Sequence, residues 1–534
     1  DSGGATGSAA ISGVSAVVSV ADVTPPAAPV VTSAALTNSA TPTLAGTAEA
    51  GSTVTVTVGG ATYTTTATGG TWSIDLATAT PASGSLSLNA NGSNPVSVTA
   101  KDASNNTSTA GTQTLTIDTT APNAPAVTSA ALTNSATPTI GGTAEAGSTV
   151  TVTVGGATYT TTATGGTWSI DLATATPTAG SLSLNANGAN PVSATATDAA
   201  GNTSTAGTQS LTIDTTAPNA PAVTSAALTN SATPTIAGTA EAGSTVTVTV
   251  GGATYTTTAT NGGTWSIDLA TATPTAGSLS LNANGANPVS ATATDAAGNV
   301  STPGTQSLTV DTTAPNAPTV TTALSNSATP TIAGTAEAGS TVTVTIGGAT
   351  YTTTATGGNW SIDLATATPT AGSLSLNANG ANPVSATATD AAGNTSTAGT
   401  QSLTIDTTLP DAPAVTSAAL TNSTTPTLAG TAEAGSTVTV TVGGATYTTT
   451  ATGGTWSIDL ATATPTSGSL SLNANGANPV SATATDAAGN VSAPGTQSLT
   501  VDTTAPNAPA VTSAALTNSA APTLAGTAEA GSTV

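Results

Sequence analysis

Carboxylates are the only charged side chains this chain has in any number. Its 24 Asp and Glu stand against one cation, Lys101, with no His and no Cys in 534 residues. That set narrows the chemistry at once. Nucleophilic catalysis needs an activated side chain beside a base, and no Ser here has a partner base. Two acids alone suffice for glycoside hydrolysis, with Asp171 and Asp198 the one pair to consider, but the topology argued below separates them. The chain is therefore expected not to be an enzyme. Acids without counter-charges can instead hold a hard cation, and the spacing favours that chemistry.

Asp118, Glu145, Asp171 and Asp198 are one copy of a set that returns in every complete repeat. If the intervening strands alternate up and down, the start of the first strand shares a pole with the turns after the second, fourth and sixth. Asp118 stands at that start, Glu145 in the turn after the second strand, and Asp198 in the turn after the sixth. Asp171 falls within a strand on the outer face and is left out. Two like charges ~4 Å apart repel by about 4 kcal/mol at an effective dielectric near ~20, and no basic group is near to relieve them. Ca2+ would do so, since it takes roughly six to eight oxygens from carboxylates, amides, carbonyls and water. Asn202 adds an oxygen or shapes the turn. Mg2+ suits the set less because it keeps its waters. The competing reading is that Asp beside Gly-Asn is simply a turn former.

The same reasoning assigns Asp22, Glu49 and Asp102 in the first copy and Asp214, Glu241, Asp295 and Asn299 in the third. It assigns Asp311, Glu337, Asp390 and Asn394 in the fourth, and Asp406, Glu433, Asp486 and Asn490 in the fifth, with Asp502 and Glu529 opening a sixth. One Ca2+ per domain junction is the expected cofactor. Lys101-Asp102-Ala103-Ser104-Asn105-Asn106 replaces the usual turn in the first copy, where a weaker site is expected.

The elements that must position these acids follow from the period. The linker Asp recurs at Asp22, Asp118, Asp214, Asp311, Asp406 and Asp502, in steps of 96, 96, 97, 95 and 96 residues. The extra residue is Asn261; the missing one falls in Thr321-Thr322-Ala323-Leu324. A tandem array must be recognised before any single residue is read, and this period suits small independent domains. In the copy beginning at Asp118, a first strand is expected over 126–130 and a turn over 132–135. The second strand covers 137–144. Thr149 to Val154 then alternates Thr and Val, the period-two pattern of a half-buried strand. Gly155-Gly156 signals a hairpin returning over 157–164. Trp168, Ile170 and Leu172 share one parity, which puts the Trp in the core; a loose stretch, 173–190, keeps only Leu182 and Leu184 as anchors. Strands over 191–197 and 209–213 complete seven, the count of a two-sheet sandwich.

Composition excludes several partners. A net charge of −23 opposes nucleic acid, which requires cations to displace counterions, and anionic membrane surfaces. No apolar run approaches the ~20 residues of a membrane-spanning helix, so no membrane insertion is expected. Without Cys the fold has no disulfide staples. Residues 1–21 look like the last hairpin of a preceding, divergent repeat, and the sequence stops at Thr533-Val534 inside a recurring Thr-Val strand. The 534 residues are expected to be a window on a longer protein.

Gly142-Thr143-Ala144-Glu145-Ala146-Gly147-Ser148, Thr197-Asp198-Ala199-Ala200-Gly201-Asn202 and Ile213-Asp214-Thr215-Thr216-Ala217-Pro218 resemble bacterial immunoglobulin-like repeats of giant secreted adhesins and biofilm-associated surface proteins. The resemblance implies an all-β chain of seven-stranded immunoglobulin-like β-sandwiches, beads on a string, on the bacterial cell surface or outside the cell. It also implies Ca2+ at the junctions, held by Asp118, Glu145, Asp198 and their counterparts. The expected domains are 22–117, 118–213, 214–310, 311–405 and 406–501, with 1–21 ending an earlier repeat and 502–534 starting another. Two functions compete. One is a stalk that projects an adhesive tip; at about 40 Å per copy, built from strands of ~23 Å plus turns, five copies reach ~200 Å. The other is a self-assembling filament, sheath or surface layer in which identical chains pack. Carbohydrate binding through Trp is disfavoured by its core parity.

Overall fold

The computed structural model describes residues 20–534, so the hairpin expected over 1–21 lies almost wholly outside the described residues. Repeats 1 and 2 belong to one compact unit and repeats 4 and 5 to another, with the boundary passing through repeat 3. Repeat 2 serves as the example. Its strands are β1 (Ala126–Val127), β2 (Leu132–Thr133), β3 (Thr139–Thr143), β4 (Thr149–Val154), β5 (Ala157–Thr162), β6 (Thr167–Asp171), β7 (Asn187–Thr197) and β8 (Gly207–Asp214). Two sheets result, ordered β6-β3-β1 and β2-β8-β7-β4-β5. No helix interrupts the described chain.

The alternation read in the sequence is what folds. Val150, Val152 and Val154 are buried while Thr149 and Thr153 face out. Trp168, Ile170 and Leu172 enter the same core from β6 and the turn after it, and Tyr159 meets them from β5. Leu182 and Leu184 pack against this core from the long connection, and their methyl groups lie over Gly155 in the hairpin. Gly142 in β3 is required by a close approach: a Cβ there would collide with the Ala126 carbonyl and the Trp168 ring.

Three expectations need correcting. The stretch expected as a turn at 132–135 begins with β2, which pairs parallel to β8 through Leu132–Thr212 and Thr133–Ile213. The first strand therefore splits between the two sheets, giving eight segments in a seven-strand pattern. The strand expected over 191–197 starts earlier, at Asn187, and runs across Pro191. Asp171 is the last residue of its strand rather than an internal one. It closes the following turn by accepting from Ala173 N–H at 3.0 Å and Thr174 Oγ1 at 3.0 Å.

Candidate functional site at the repeat junction

Antiparallel pairing of β4 with β7 sets Thr149 opposite Thr197. The turn carrying Glu145, before β4, and the turn beginning at Asp198, after β7, therefore lie at one pole. Asp198 opens a tight turn in which its N–H donates to the Asn202 carbonyl at 3.0 Å and Gly201 N–H donates back to the Asp198 carbonyl at 3.2 Å. Its Oδ1 accepts Asn202 N–H at 2.8 Å and its Oδ2 accepts Asn202 Nδ2 at 2.8 Å. The same Nδ2 donates to the carbonyl of Asp118 at 2.8 Å. One amide nitrogen, with two hydrogens to give, thus bridges the Asp198 carboxylate and the junction backbone.

Partial burial opposes the charged form of Asp198, but donation from Asn202, Gly201 and Ala200 outweighs it and holds the carboxyl below its ordinary range. Asp295, Asp390 and Asp486 are lowered by the equivalent groups against the same burial. At Asp102 the Asn106 amide is the leading cause of the same lowering. The altered turn of the first copy keeps the arrangement: Asn106 Nδ2 reaches Asp102 Oδ2 at 2.9 Å and the Asp22 carbonyl at 2.8 Å.

The remaining expected residues are placed differently. Asp118 ends the final strand of repeat 1, opposite Asn91, and its Oδ1 accepts Thr120 N–H at 3.0 Å. Glu145 is exposed, and its carbonyl, not its carboxylate, closes its turn by accepting from Ser148 N–H and Oγ. Asn202 faces the acids with its nitrogen. The structure therefore joins Asp118, Asp198 and Asn202 and leaves Glu145 at the same pole only. Among the described residues, no group of three or more His, Cys, Asp or Glu is placed to hold a metal ion. The oxygens at the junction, two carboxylates and a carbonyl, suit Ca2+ in kind, because that ion accepts carbonyl and water oxygens beside carboxylates.

Five segments, 29–119, 125–215, 222–312, 319–407 and 411–503, match the bacterial Ig-like domain. The chain belongs to the bacterial Ig-like domain family. Among solved structures it is similar to a tetra-tandem repeat in the extending region of a large adhesion protein. That likeness has 23% identity and a TM-score of 0.29, covering 72% of this chain and 100% of the other. It is also similar to a Ca2+-stabilized adhesin with which an Antarctic bacterium reaches out and binds ice: 34% identity, TM-score 0.26, covering 72% and 99% respectively. No curated protein matches the chain.

Within each bacterial Ig-like domain, two asparagines with structural work escaped the sequence reading. Asn190, 4% exposed, donates Nδ2 to the carbonyls of Asn185 and Gly188 at 3.0 Å each and accepts Asn185 N–H at 2.7 Å. It fixes the end of the stretch expected to be loose. The second, Asn187, holds the linker by accepting from Thr215 N–H. Two Asn three positions apart in an Asn-Gly-Ala-Asn run, and so on opposite faces of the strand, were the available signal, hidden by the resemblance of that run to a plain turn.

Proposed function

We propose that these tandem bacterial Ig-like domains form the stalk of a bacterial cell-surface or biofilm-matrix adhesin, stiffened outside the cell by Ca2+ at the domain junctions. One observation supports this reading above the others: the Asn–Asp bridge onto the junction carbonyl recurs at Asp22, Asp118, Asp214, Asp311 and Asp406. A connection repeated this faithfully gives consecutive domains a defined join, which a spacer requires and an enzyme or a binding module does not. Asp118, Glu145 and Asp198 would supply carboxylates to the ion, with counterparts at each junction, while Asn202, which turns its nitrogen to the site, would shape the turn that presents them. Bound there, the ion would neutralise acids that no basic residue neutralises. The chain would stay loose in a low-calcium cytosol and become ordered at millimolar calcium. Excess chelator should lower the melting temperature of the whole chain and shorten the maximum dimension in small-angle scattering. If neither moves, the calcium mechanism fails.

Self-assembly is the second reading. The outer face of the larger sheet supports it: Thr149, Thr151 and Thr153 stand opposite Thr162, Thr160 and Thr158, a neutral surface that can approach its like without charge repulsion. Electron microscopy of the purified chain separates the two, as beaded single chains or as ordered fibres.

A further inference from the structure

Two asparagines, one from each sandwich, close on one short stretch at the junction of repeats 2 and 3, and a third spans the junction beside it. Asp214 ends β8 of repeat 2. Just beyond it, Thr215 N–H donates to Asn187 Oδ1 at 2.8 Å, and the hydroxyls of Thr215 and Thr216 reach the same oxygen at 3.1 Å each. Asn187 belongs to repeat 2, opposite Asp214 in the β7–β8 register. A backbone N–H can only donate, so the atom facing Thr215 must be the amide oxygen. Asn299 of repeat 3 donates Nδ2 to the Asp214 carbonyl at 2.7 Å. Residues 214–216 are thus gripped by the sandwich they leave and by the one they enter.

The third asparagine spans the junction directly. Asn134, in the loop after β2 of repeat 2, lays its amide against Gly298 in the Asp295–Asn299 turn of repeat 3; Nδ2 lies 3.4 Å from where a Cβ on Gly298 would stand. The same approach recurs at 3.4 Å for Asn38 on Gly201, Asn230 on Gly393 and Asn326 on Gly489. Gly298 has φ +96°, which favours glycine. The turn alone does not demand it, however: Asn105 holds the equivalent position in repeat 1 with φ 72°, as Asn is able to do. A Cβ there would meet the neighbour's amide at ordinary van der Waals distance, 3.4 Å, so only a side chain longer than alanine's would crowd the seat.

The geometry points to a latch between consecutive repeats, in which the loop asparagine of one domain seats on the Gly-Asn turn of the next while two further asparagines hold the linker. The latch sets the direction in which each domain leaves its predecessor, with or without an ion. Amides suit this place because they bring donors without adding charge beside Asp214 and Asp295. The inference deepens the stalk reading and rests on it; calcium would then add stiffness to a direction already chosen.

The absence of native cysteine allows a direct test on the full chain. Thr153→Cys and Thr249→Cys, both exposed and in consecutive repeats, receive nitroxide labels, and their distance distribution is measured by pulsed dipolar spectroscopy in excess chelator and in calcium. The expected result is one peak at the same distance in both, broader in chelator and narrower in calcium. Adding Asn134→Ala, a change at an exposed loop residue, abolishes that single peak in both while circular dichroism stays native. Gly298→Asn, a residue the same turn position accepts in repeat 1 as Asn105 but whose longer side chain would stand against Asn134, is a second variant with the same expected loss. A chelated wild-type chain with no defined peak overturns the latch, as does an Asn134→Ala peak indistinguishable from wild type. A peak that stands in chelator and ignores calcium supports the latch and defeats the calcium reading alone.

Discussion

Asn202 Nδ2 lies 2.8 Å from the carbonyl oxygen of Asp118, the residue that ends the final strand of the preceding sandwich, 84 positions earlier. The contact ties a turn of one domain to the backbone exit of another through a neutral group.

Replacing this asparagine with alanine in all five copies (Asn106, Asn202, Asn299, Asn394 and Asn490) removes the donor to both the carboxylate and the junction carbonyl. A net hydrogen bond contributes about 1 kcal/mol and one to a charged group about 1.5–3 kcal/mol. The partly exposed setting puts the loss near ~1–2 kcal/mol per domain. The urea midpoint of the full chain should fall accordingly. Aspartate at the same five positions should be worse than alanine in chelator, because it sets a second carboxylate beside Asp198 and its equivalents. An equal or milder effect from aspartate would contradict the bridging role.

Acid should destabilise the folded domains through these turns. Asp198, Asp295, Asp390 and Asp486 titrate below the ordinary carboxylate value in the folded state. A depressed folded pKa contributes stability that is complete above the unfolded value, about 3.9, and disappears as pH falls through the folded value. Stability should thus stay flat from neutrality to roughly pH 5 and decline below about 4. Melting curves across that range check it, and the five Asn→Ala changes should flatten the decline.

How legible was this in the sequence? The larger sheet was, because Thr149–Val154 alternates with one burial per two residues and nothing else satisfies that pattern. The pole shared by Asp118 and Asp198 was legible too, since alternating strand directions fix which turns meet. The parallel β2 was not: Leu132-Thr133 is two residues of pairing in a polar loop, too short for periodicity to register. The asparagine contacts escaped for another reason. They depend on which end of an amide faces which partner, at separations as different as 5 residues for Asn190–Asn185 and 84 for Asn202–Asp118, and a residue type reveals neither.

Core burial yields the third prediction. Trp168 is 4% exposed and its equivalents, Trp72, Trp265, Trp360 and Trp456, are 3% exposed. Truncating Trp168 to alanine should cost repeat 2 about 3–5 kcal/mol. In a pulling experiment on single chains, one of the unfolding steps should move to much lower force or vanish while the rest stay put. Polysaccharide binding measured before and after the change should not differ; a loss of binding in a chain that still folds would show that the ring serves a ligand.

Gly142→Ala provides the fourth. The added methyl has no room between the Ala126 carbonyl and the Trp168 ring, and overpacking costs roughly 1–3 kcal/mol. Gly165→Ala, where no atom lies within 4 Å of the new Cβ but φ is +61°, bears only the backbone cost of the left-handed conformation, about 1–2 kcal/mol. Hydrogen exchange should place the damage from the first change across β1, β3 and β6, and from the second in its hairpin alone.

Load-sharing between β2 and β8 has a mechanical consequence. The two strands run parallel at opposite termini of the domain, so a pull on the chain ends draws them past each other instead of peeling them apart. Leu132–Thr212, Thr133–Ile213 and the bond from Thr212 N–H to the Ala131 carbonyl at 2.7 Å would then be strained together, not one after another. Two residues that contribute little to the domain at rest would decide how much tension it withstands.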